Sequence, residues 1–203
     1  YETNNAYITW VLSRISNVDL TEQLKAIEKD VNQEFDAYKQ ALLCNAYLNR
    51  SEQEKASEAY EKLINHLQQQ QYQNLQAVST IVYSYGNARD LEICALALFS
   101  AMAMQDQAVI EALKSKILSS VNSRGYFGNT QATALCLEAL TELSLKENES
   151  KASVYEILMN GELISSVNPR VTKQNSFSIP VEKLKRGINE VEVRTEGATI
   201  PYK

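Results

Sequence analysis

Apolar residues recur at helical spacing along about the first 150 residues and at strand spacing after them. The first part predicts seven helices, at about residues 5–15, 20–31, 36–48, 51–67, 90–104, 107–121 and 130–146. The third, fifth and seventh are rich in apolar and small residues, whereas the second, fourth and sixth have one polar face. This alternation predicts stacked helical hairpins with an inner and an outer layer, as in an α/α toroid or an open α-solenoid.

Local patterns indicate where several of these helices begin and which face they bury. In the first helix, Ile8, Val11, Leu12 and Ile15 recur at i, i+3, i+4 and i+7, so we expect that stripe to face the core. The residue pairs Asp19/Glu22 and Ser51/Glu54 have capping-box spacing, which predicts helix starts there. Asn129 and Thr130 follow a glycine–aromatic turn and are good N-caps for the seventh helix. Its buried stripe is predicted to contain Ala132, Leu135, Cys136, Ala139, Leu140 and Leu143.

Beyond residue 150 the pattern has a period of two. The segment Ser153–Met159 is predicted to be a strand, and Asn160–Gly161 is a strong signal for a two-residue hairpin turn into Glu162–Val167. Two more strands are predicted, one at Phe177–Ile179 and one at Ile188–Arg194. We therefore expect an α+β chain, with a helical domain at 1–150 and a small antiparallel β segment of about four strands at 151–203.

The bulk composition excludes some classes of function. The chain has 203 residues and a formal net charge of −5, and its charges are scattered, so the basic stripe of a nucleic-acid-binding protein is missing. Its apolar runs are shorter than the roughly 18–20 residues of a membrane span. Because the chain begins at Tyr1, we interpret it as a mature or excised piece of a longer protein.

The cysteines and the single histidine have ordinary structural interpretations. The three cysteines, Cys44, Cys94 and Cys136, lie in apolar helical stretches at wide spacing. This arrangement favours small buried side chains over disulfides or a zinc site. His66 is predicted near the end of an amphipathic helix, where a positive charge is favourable. We expect no metal and no cofactor.

Four carboxylates on the predicted inner helices are candidates for chemistry: Asp36, Asp90, Glu92 and Glu138. A glycosidase needs two carboxyl groups about 5 to 9.5 Å apart across a cleft, a distance that a sequence does not reveal. Asp36 and Asp90 stand where helix N-termini favour negative charge, so we interpret them as capping residues. Glu92 and Glu138 either pair with arginine or face the axis of a helical ring. The chain has no phosphate loop or nucleophile elbow, and we assign no catalytic residue.

Three motifs in order resemble the alpha-2-macroglobulin family, in particular its bacterial-type members. The first is Ser-Tyr-Gly-Asn-Ala-Arg-Asp at 84–90, and the second is Gly-Tyr-Phe-Gly-Asn-Thr-Gln at 125–131. The third is the strand pattern, with Met-Asn-Gly at 159–161, Phe-Ser-Ile-Pro at 177–180 and Leu-Lys-Arg-Gly-Ile-Asn-Glu-Val-Glu-Val at 184–193. The resemblance is to the later part of the thioester-containing helical domain and the β segment that follows it.

This resemblance implies a partial α/α toroid at 1–150 followed by a CUB-like or macroglobulin-like β segment at 151–203. It also implies a fragment of an endopeptidase inhibitor, a protease trap, that acts as a non-catalytic scaffold and interaction domain outside the cytoplasm. The expected partners are target endopeptidases through the parent protein, other domains of the parent chain and, through the open edge of the ring, further copies of the chain. Neither a nucleic acid nor a small-molecule substrate is expected.

The chain departs from the family pattern at the reactive site. The family's thioester motif, Gly-Cys-Gly-Glu-Gln, is missing, and none of the three cysteines is followed by Glu-Gln two residues later. A thioester therefore cannot form within these residues. Two other interpretations stay open: a non-catalytic helical-repeat binding module with a β appendage, and an α/α-barrel carbohydrate-active enzyme.

Overall fold

The structure is a computed structural model that describes residues 2–150, 155–167, 181–195 and 198–199. It divides the chain into two compact units, 1–143 and 144–203, so the division falls within the last helix rather than at residue 150. Both helices and an antiparallel sheet are present, which makes the chain an α+β protein.

Seven α-helices occur among the described residues. They are α1 (Thr3–Ser13), α2 (Thr21–Gln33), α3 (Ala37–Asn49), α4 (Gln53–Gln69), α5 (Gly86–Met104), α6 (Gln107–Ser119) and α7 (Thr130–Ser150). Each lies within a few residues of a predicted helix. The start of α4 was predicted wrongly, because Ser51 has a positive φ of 60° and the helix begins two residues later without a side-chain cap.

The first unit is organised around α3 and α5, which are buried on nearly all sides. Helix α3 packs against α1, α2, α4 and α5, while α5 packs against α3, α4 and α6. Helices α2 and α4 each bury only one apolar stripe, with the apolar residues Leu24, Ile27 and Val31 on the stripe of α2. Burial of apolar surface is the main stabilising term of such a core.

Helix α1 buries a different face from the one that its apolar spacing predicts. Ala6, Thr9, Trp10 and Ser13 face the core, whereas the predicted stripe is largely exposed at Ile8, Val11 and Ile15. The helix has apolar residues on both faces, and the large ring of Trp10 removes more apolar surface from water than an aliphatic side chain does. The hydroxyl groups of Thr9 and Ser13 donate to carbonyl oxygens of the same helix at 2.7 and 2.6 Å, so their burial leaves no unpaired donor.

Helix α7 contacts both α5 and α1. The thiol of Cys136 points at the carbonyl oxygen of Leu91 in α5, at 3.8 Å. On the other side, Gln131 Nε2 donates to the hydroxyl oxygen of Tyr7, and Arg14 pairs with Glu138, both at 3.3 Å. The first and last helices of the unit are therefore neighbours.

Among the residues of the second unit that the structure describes, four strands form a sheet in the order β2-β1-β3-β4, all antiparallel. They are β1 (Tyr155–Met159), β2 (Glu162–Val167), β3 (Val191–Thr195) and the two-residue β4 (Ala198–Thr199). The predicted Asn160–Gly161 turn is confirmed, with φ of 52° and 84° at its two residues, as a type I′ hairpin turn requires. The strand predicted at Phe177–Ile179 lies outside the described residues.

The loop before α7 closely approaches α5, and two glycine substitutions in this loop test that contact. A methyl group at Gly128, where φ is +96°, would lie 2.9 Å from Cβ of Ala88, whereas one at Gly125, where φ is +80°, would meet nothing within 4 Å. Both Gly→Ala changes strain the backbone, but only Gly128→Ala also forces the loop away from α5. We expect Gly125→Ala to lower the free energy of unfolding by about 1 kcal/mol and Gly128→Ala by about 2–4 kcal/mol.

Urea unfolding followed through the fluorescence of Trp10 measures this difference, because the only tryptophan is buried in the first unit. Equal losses for the two variants would show that the loop does not rest against Ala88.

Candidate functional site

The connection between α4 and α5 is a long segment that buried carboxylates hold in place. We call residues 70–85 the strap. Asp90 accepts hydrogen bonds from the backbone N–H groups of Asn74 and Leu75, at 2.7 and 3.0 Å. Asp36 accepts from the backbone N–H of Val78 at 2.9 Å and caps its own helix by accepting from Lys39 N at 3.0 Å. Both carboxylates are buried, so the strap is fixed at the N-terminal ends of α3 and α5.

The capping role predicted for Asp36 is therefore confirmed, whereas that of Asp90 is wrong. Helix α5 begins at Gly86, and Asp90 lies one turn inside it. Its two oxygen atoms accept from the strap rather than from the first turn of its own helix. The predicted start at residue 90 is four residues late because the apolar helical pattern begins only at Leu91, and the first turn, Gly-Asn-Ala-Arg at 86–89, has no apolar stripe.

A second polar cluster joins the strap to the loop before α7. The hydroxyl of Ser84 donates to Glu92 Oε1, and Asn129 Nδ2 donates to the Ser84 oxygen at 2.6 Å. The backbone N–H of Ser84 in turn donates to Thr80 Oγ1 at 3.0 Å. Asn129 also caps α7, since its Oδ1 accepts from Ala132 N at 2.8 Å. These bonds connect the strap, α5 and the start of α7 through one buried glutamate.

The electrostatics of this cluster are set by burial. Glu92 is 0% exposed, and this burial raises the pKa of its carboxyl above the ordinary value, although hydrogen bonds from Ser84, Thr80 and Asn129 act in the opposite direction. The pKa of the Tyr38 phenol is also raised, mainly because the group is buried and to a lesser extent because Glu92 carries a negative charge nearby. Glu92 Oε2 and Tyr38 Oη make no hydrogen bond of normal geometry with any described group.

The other candidate residues do not join this cluster. Glu138 forms a half-exposed ion pair with Arg14 on α1. His66 accepts a hydrogen bond from the backbone N–H of Gln76 at 3.3 Å and packs on Phe35, with ring centroids 4.6 Å apart. His66 lies in the last turn of α4, as predicted. Its Nε2 accepts a hydrogen bond and must therefore carry no proton, and burial lowers the pKa of the ring, so His66 acts as a neutral acceptor for the strap and not as a positive charge.

The three cysteines are buried, as the sequence predicts. Burial raises the pKa of Cys44 to about 11 and that of Cys136 to about 12, and it raises the pKa of Cys94 further still. A protonated, inaccessible thiol is a poor nucleophile, so these side chains act as small apolar groups. Among the residues that the structure describes, no three His, Cys, Asp or Glu side chains are grouped to hold a metal ion.

The strap and the loop before α7 carry several exposed apolar side chains. We call Val78, Val82, Tyr83, Tyr85 and Tyr126 the aromatic surface; Val78, Tyr83, Tyr85 and Tyr126 are 73, 76, 85 and 55% exposed. The first four belong to the strap, and Tyr126 belongs to the loop that Asn129 ties to it. This surface could not be located from the sequence, because the strap has no helical or strand periodicity.

Comparison of the chain with protein-family models, with curated proteins and with solved structures found no match. None of the described helices is long and apolar enough to cross a bilayer.

The pH dependence of stability tests the burial of Glu92. Because its folded-state pKa is raised, its contribution to stability is complete below the unfolded pKa of about 4.3 and is lost as the pH rises through the folded value. Glu92→Gln removes this titration and keeps an acceptor for Ser84. We therefore expect the stability of the variant relative to the natural chain to increase as the pH rises from about 4 to 7, measured by urea unfolding at each pH.

A stability difference that stays constant over that range would contradict this interpretation. Glu92→Ala is the matched variant: it leaves the Ser84 hydroxyl without its buried acceptor, so we expect it to cost about 1–3 kcal/mol at neutral pH.

The role of Asp90 as an acceptor for the strap predicts that Asp90→Asn destabilises the chain more than Glu138→Gln does. Asn offers only one acceptor oxygen, so Asp90→Asn leaves one of the two strap N–H groups facing an NH₂ group; we expect a loss of about 1–3 kcal/mol in the free energy of unfolding. Glu138→Gln is the control, since the half-exposed pair with Arg14 contributes at most about 1 kcal/mol. Comparable losses from both variants would contradict the assignment of Asp90 as the strap's anchor.

Proposed function

We propose that the chain is part of an alpha-2-macroglobulin-like endopeptidase inhibitor, in which it serves as a non-catalytic scaffold and interaction domain. One observation carries this proposal. The two motifs that resemble the family, at 84–90 and 125–131, contact each other through the 2.6 Å hydrogen bond between Asn129 and Ser84. Two motifs that resemble one family and are also in contact in the fold support the proposal better than either motif would alone.

The distribution of buried surface supports the same proposal. Helices α3 and α5 are buried, while α2 and α4 each present a polar face to solvent, which suits the inner and outer layers of an α/α toroid. In this proposal the helices are a partial toroid, and the sheet of the second unit belongs to a CUB-like or macroglobulin-like β domain.

The proposal assigns protease capture to the parent protein and not to this chain. Its three thiols are buried, and burial raises the pKa of each. No Cys-x-Glu-Gln motif is present in the sequence. The chain would contribute rigidity and contact surfaces to a trap located outside the cytoplasm.

The proposed partners follow from the surfaces of the first unit. The exposed side chains of Ile8 and Val11 on α1, and of Ile15 just after it, are available to another domain of the parent or to a second copy of the chain. Target endopeptidases would be reached through the parent protein.

The alternative of a non-catalytic helical binding module is favoured by a different observation, the exposed aromatic surface. The two proposals differ in what the whole protein does with an active protease, so one experiment separates them.

The natural protein that contains this chain is incubated with an active serine endopeptidase, such as trypsin, and then separated by size. We expect the protease to co-elute with the protein and to lose activity on a large protein substrate, because an enclosed protease is sterically shielded. The isolated chain is the control and should leave the protease active.

A protease that elutes separately and stays fully active would contradict the proposed function and leave the binding-module alternative. Inhibition by the isolated chain would contradict the assignment of a scaffold role.

A further inference from the structure

We infer that the aromatic surface is a docking surface for a protein or peptide whose contact face carries carboxylates. This inference goes beyond the proposed function and stands whether or not the chain belongs to a protease trap. It rests on the burial pattern of the strap, the composition of the two loops and the charges around them.

The strap reverses the usual distribution of polar and apolar residues. Thr80 and Ser84 are buried, whereas their neighbours Val78, Tyr83 and Tyr85 are largely exposed. The hydrophobic effect alone would favour the opposite arrangement. Ser84 is held inside by its hydrogen bonds with Glu92, Asn129 and Thr80. The neighbouring tyrosine rings therefore project into solvent. Large apolar side chains that are held in solvent on two loops tied together by a hydrogen bond are typical of interaction sites.

The two loops have the composition of a protein-binding surface. Residues 83–87 are Tyr-Ser-Tyr-Gly-Asn, and residues 122–129 are Asn-Ser-Arg-Gly-Tyr-Phe-Gly-Asn. Tyr, Ser, Gly, Asn and Arg are the residue types enriched in antibody-binding loops, where tyrosine supplies a large contact area at a low cost in side-chain entropy. Protein interfaces in general are enriched in Tyr and Arg and depleted in Lys, Asp and Glu.

Charge selects the kind of partner. Segments 76–88 and 121–131 contain no Asp, Glu or Lys, although the whole chain has a net charge of −5. The exposed charge that they contribute is Arg124. A partner with carboxylates is complementary to this surface, whereas a second copy docked by a two-fold axis would bring one arginine towards the other without a counter-charge.

Both loops are ordered before a partner binds. Asn122 Oδ1 accepts from the backbone N–H groups of Arg124 and Tyr126, at 2.9 and 3.0 Å, and Asn122 N donates to the Tyr126 carbonyl oxygen at 3.0 Å. The strap is fixed by Asp36 and Asp90 as described above. Little backbone freedom is therefore lost on binding, which favours affinity from a small contact area.

The test uses a library of random twelve-residue peptides displayed on phage and selected against the whole chain. Selected peptides are synthesised and titrated against the natural chain and against the triple variant Tyr83→Asn, Tyr85→Ser and Tyr126→Ser. Asparagine is chosen at position 83 because φ is +57° there. The matched control is Leu137→Ser, which removes an exposed apolar side chain of α7 that belongs to neither proposed contact surface and is about as exposed as Tyr126.

We expect the selected peptides to be enriched in Asp and Glu, to bind the tyrosine variant at least about tenfold more weakly and to bind Leu137→Ser as tightly as the natural chain. Unchanged thermal unfolding of the tyrosine variant shows that its fold is intact. Peptides that bind all three proteins equally, or that carry no excess of acidic residues, would overturn the inference. So would a screen of soluble neutral glycans in which the natural chain binds and the tyrosine variant does not.

Discussion

Three buried carboxylates at the N-terminal ends of two buried helices are the constraint on which the rest of the first unit depends. Asp36, Asp90 and Glu92 lie on or next to α3 and α5, and each accepts at least one hydrogen bond from the strap. A buried carboxylate is costly unless it is hydrogen-bonded, and a long connection has many backbone groups to satisfy. The strap supplies the hydrogen-bond donors that the buried carboxylates need, and the carboxylates of Asp36 and Asp90 accept from backbone groups of the strap and so fix it in place.

This arrangement explains how the unit can present apolar side chains to solvent. The loop before α7 is tied to the same cluster through Asn129 and rests on α5 at Gly128. Two loops from different parts of the chain are thus tied to the same hydrogen-bonded cluster. The function that we propose needs such a scaffold, since a domain inside a larger assembly works by holding its contact surfaces in fixed positions.

Much of the helical and strand content could be predicted from the sequence because the signals are local. Asn129 is an N-cap and Asn160–Gly161 is a hairpin turn for reasons contained in a few residues. The buried face of α1 could not be predicted, because both of its faces are apolar and packing around Trp10 decides between them. The cluster at Glu92 was missed as a cluster because Ser84 and Asn129 are 45 residues apart, and only the fold brings them together.

If the carboxylates hold the strap as firmly as the helices hold each other, amide hydrogen exchange measured by NMR should show it. We expect the N–H groups of Asn74, Leu75, Val78 and Ser84 to exchange as slowly as those in the middle of α3, because opening any of them breaks the buried network. Exchange of these four amides at the rate of an unstructured peptide, with α3 still protected, would contradict it.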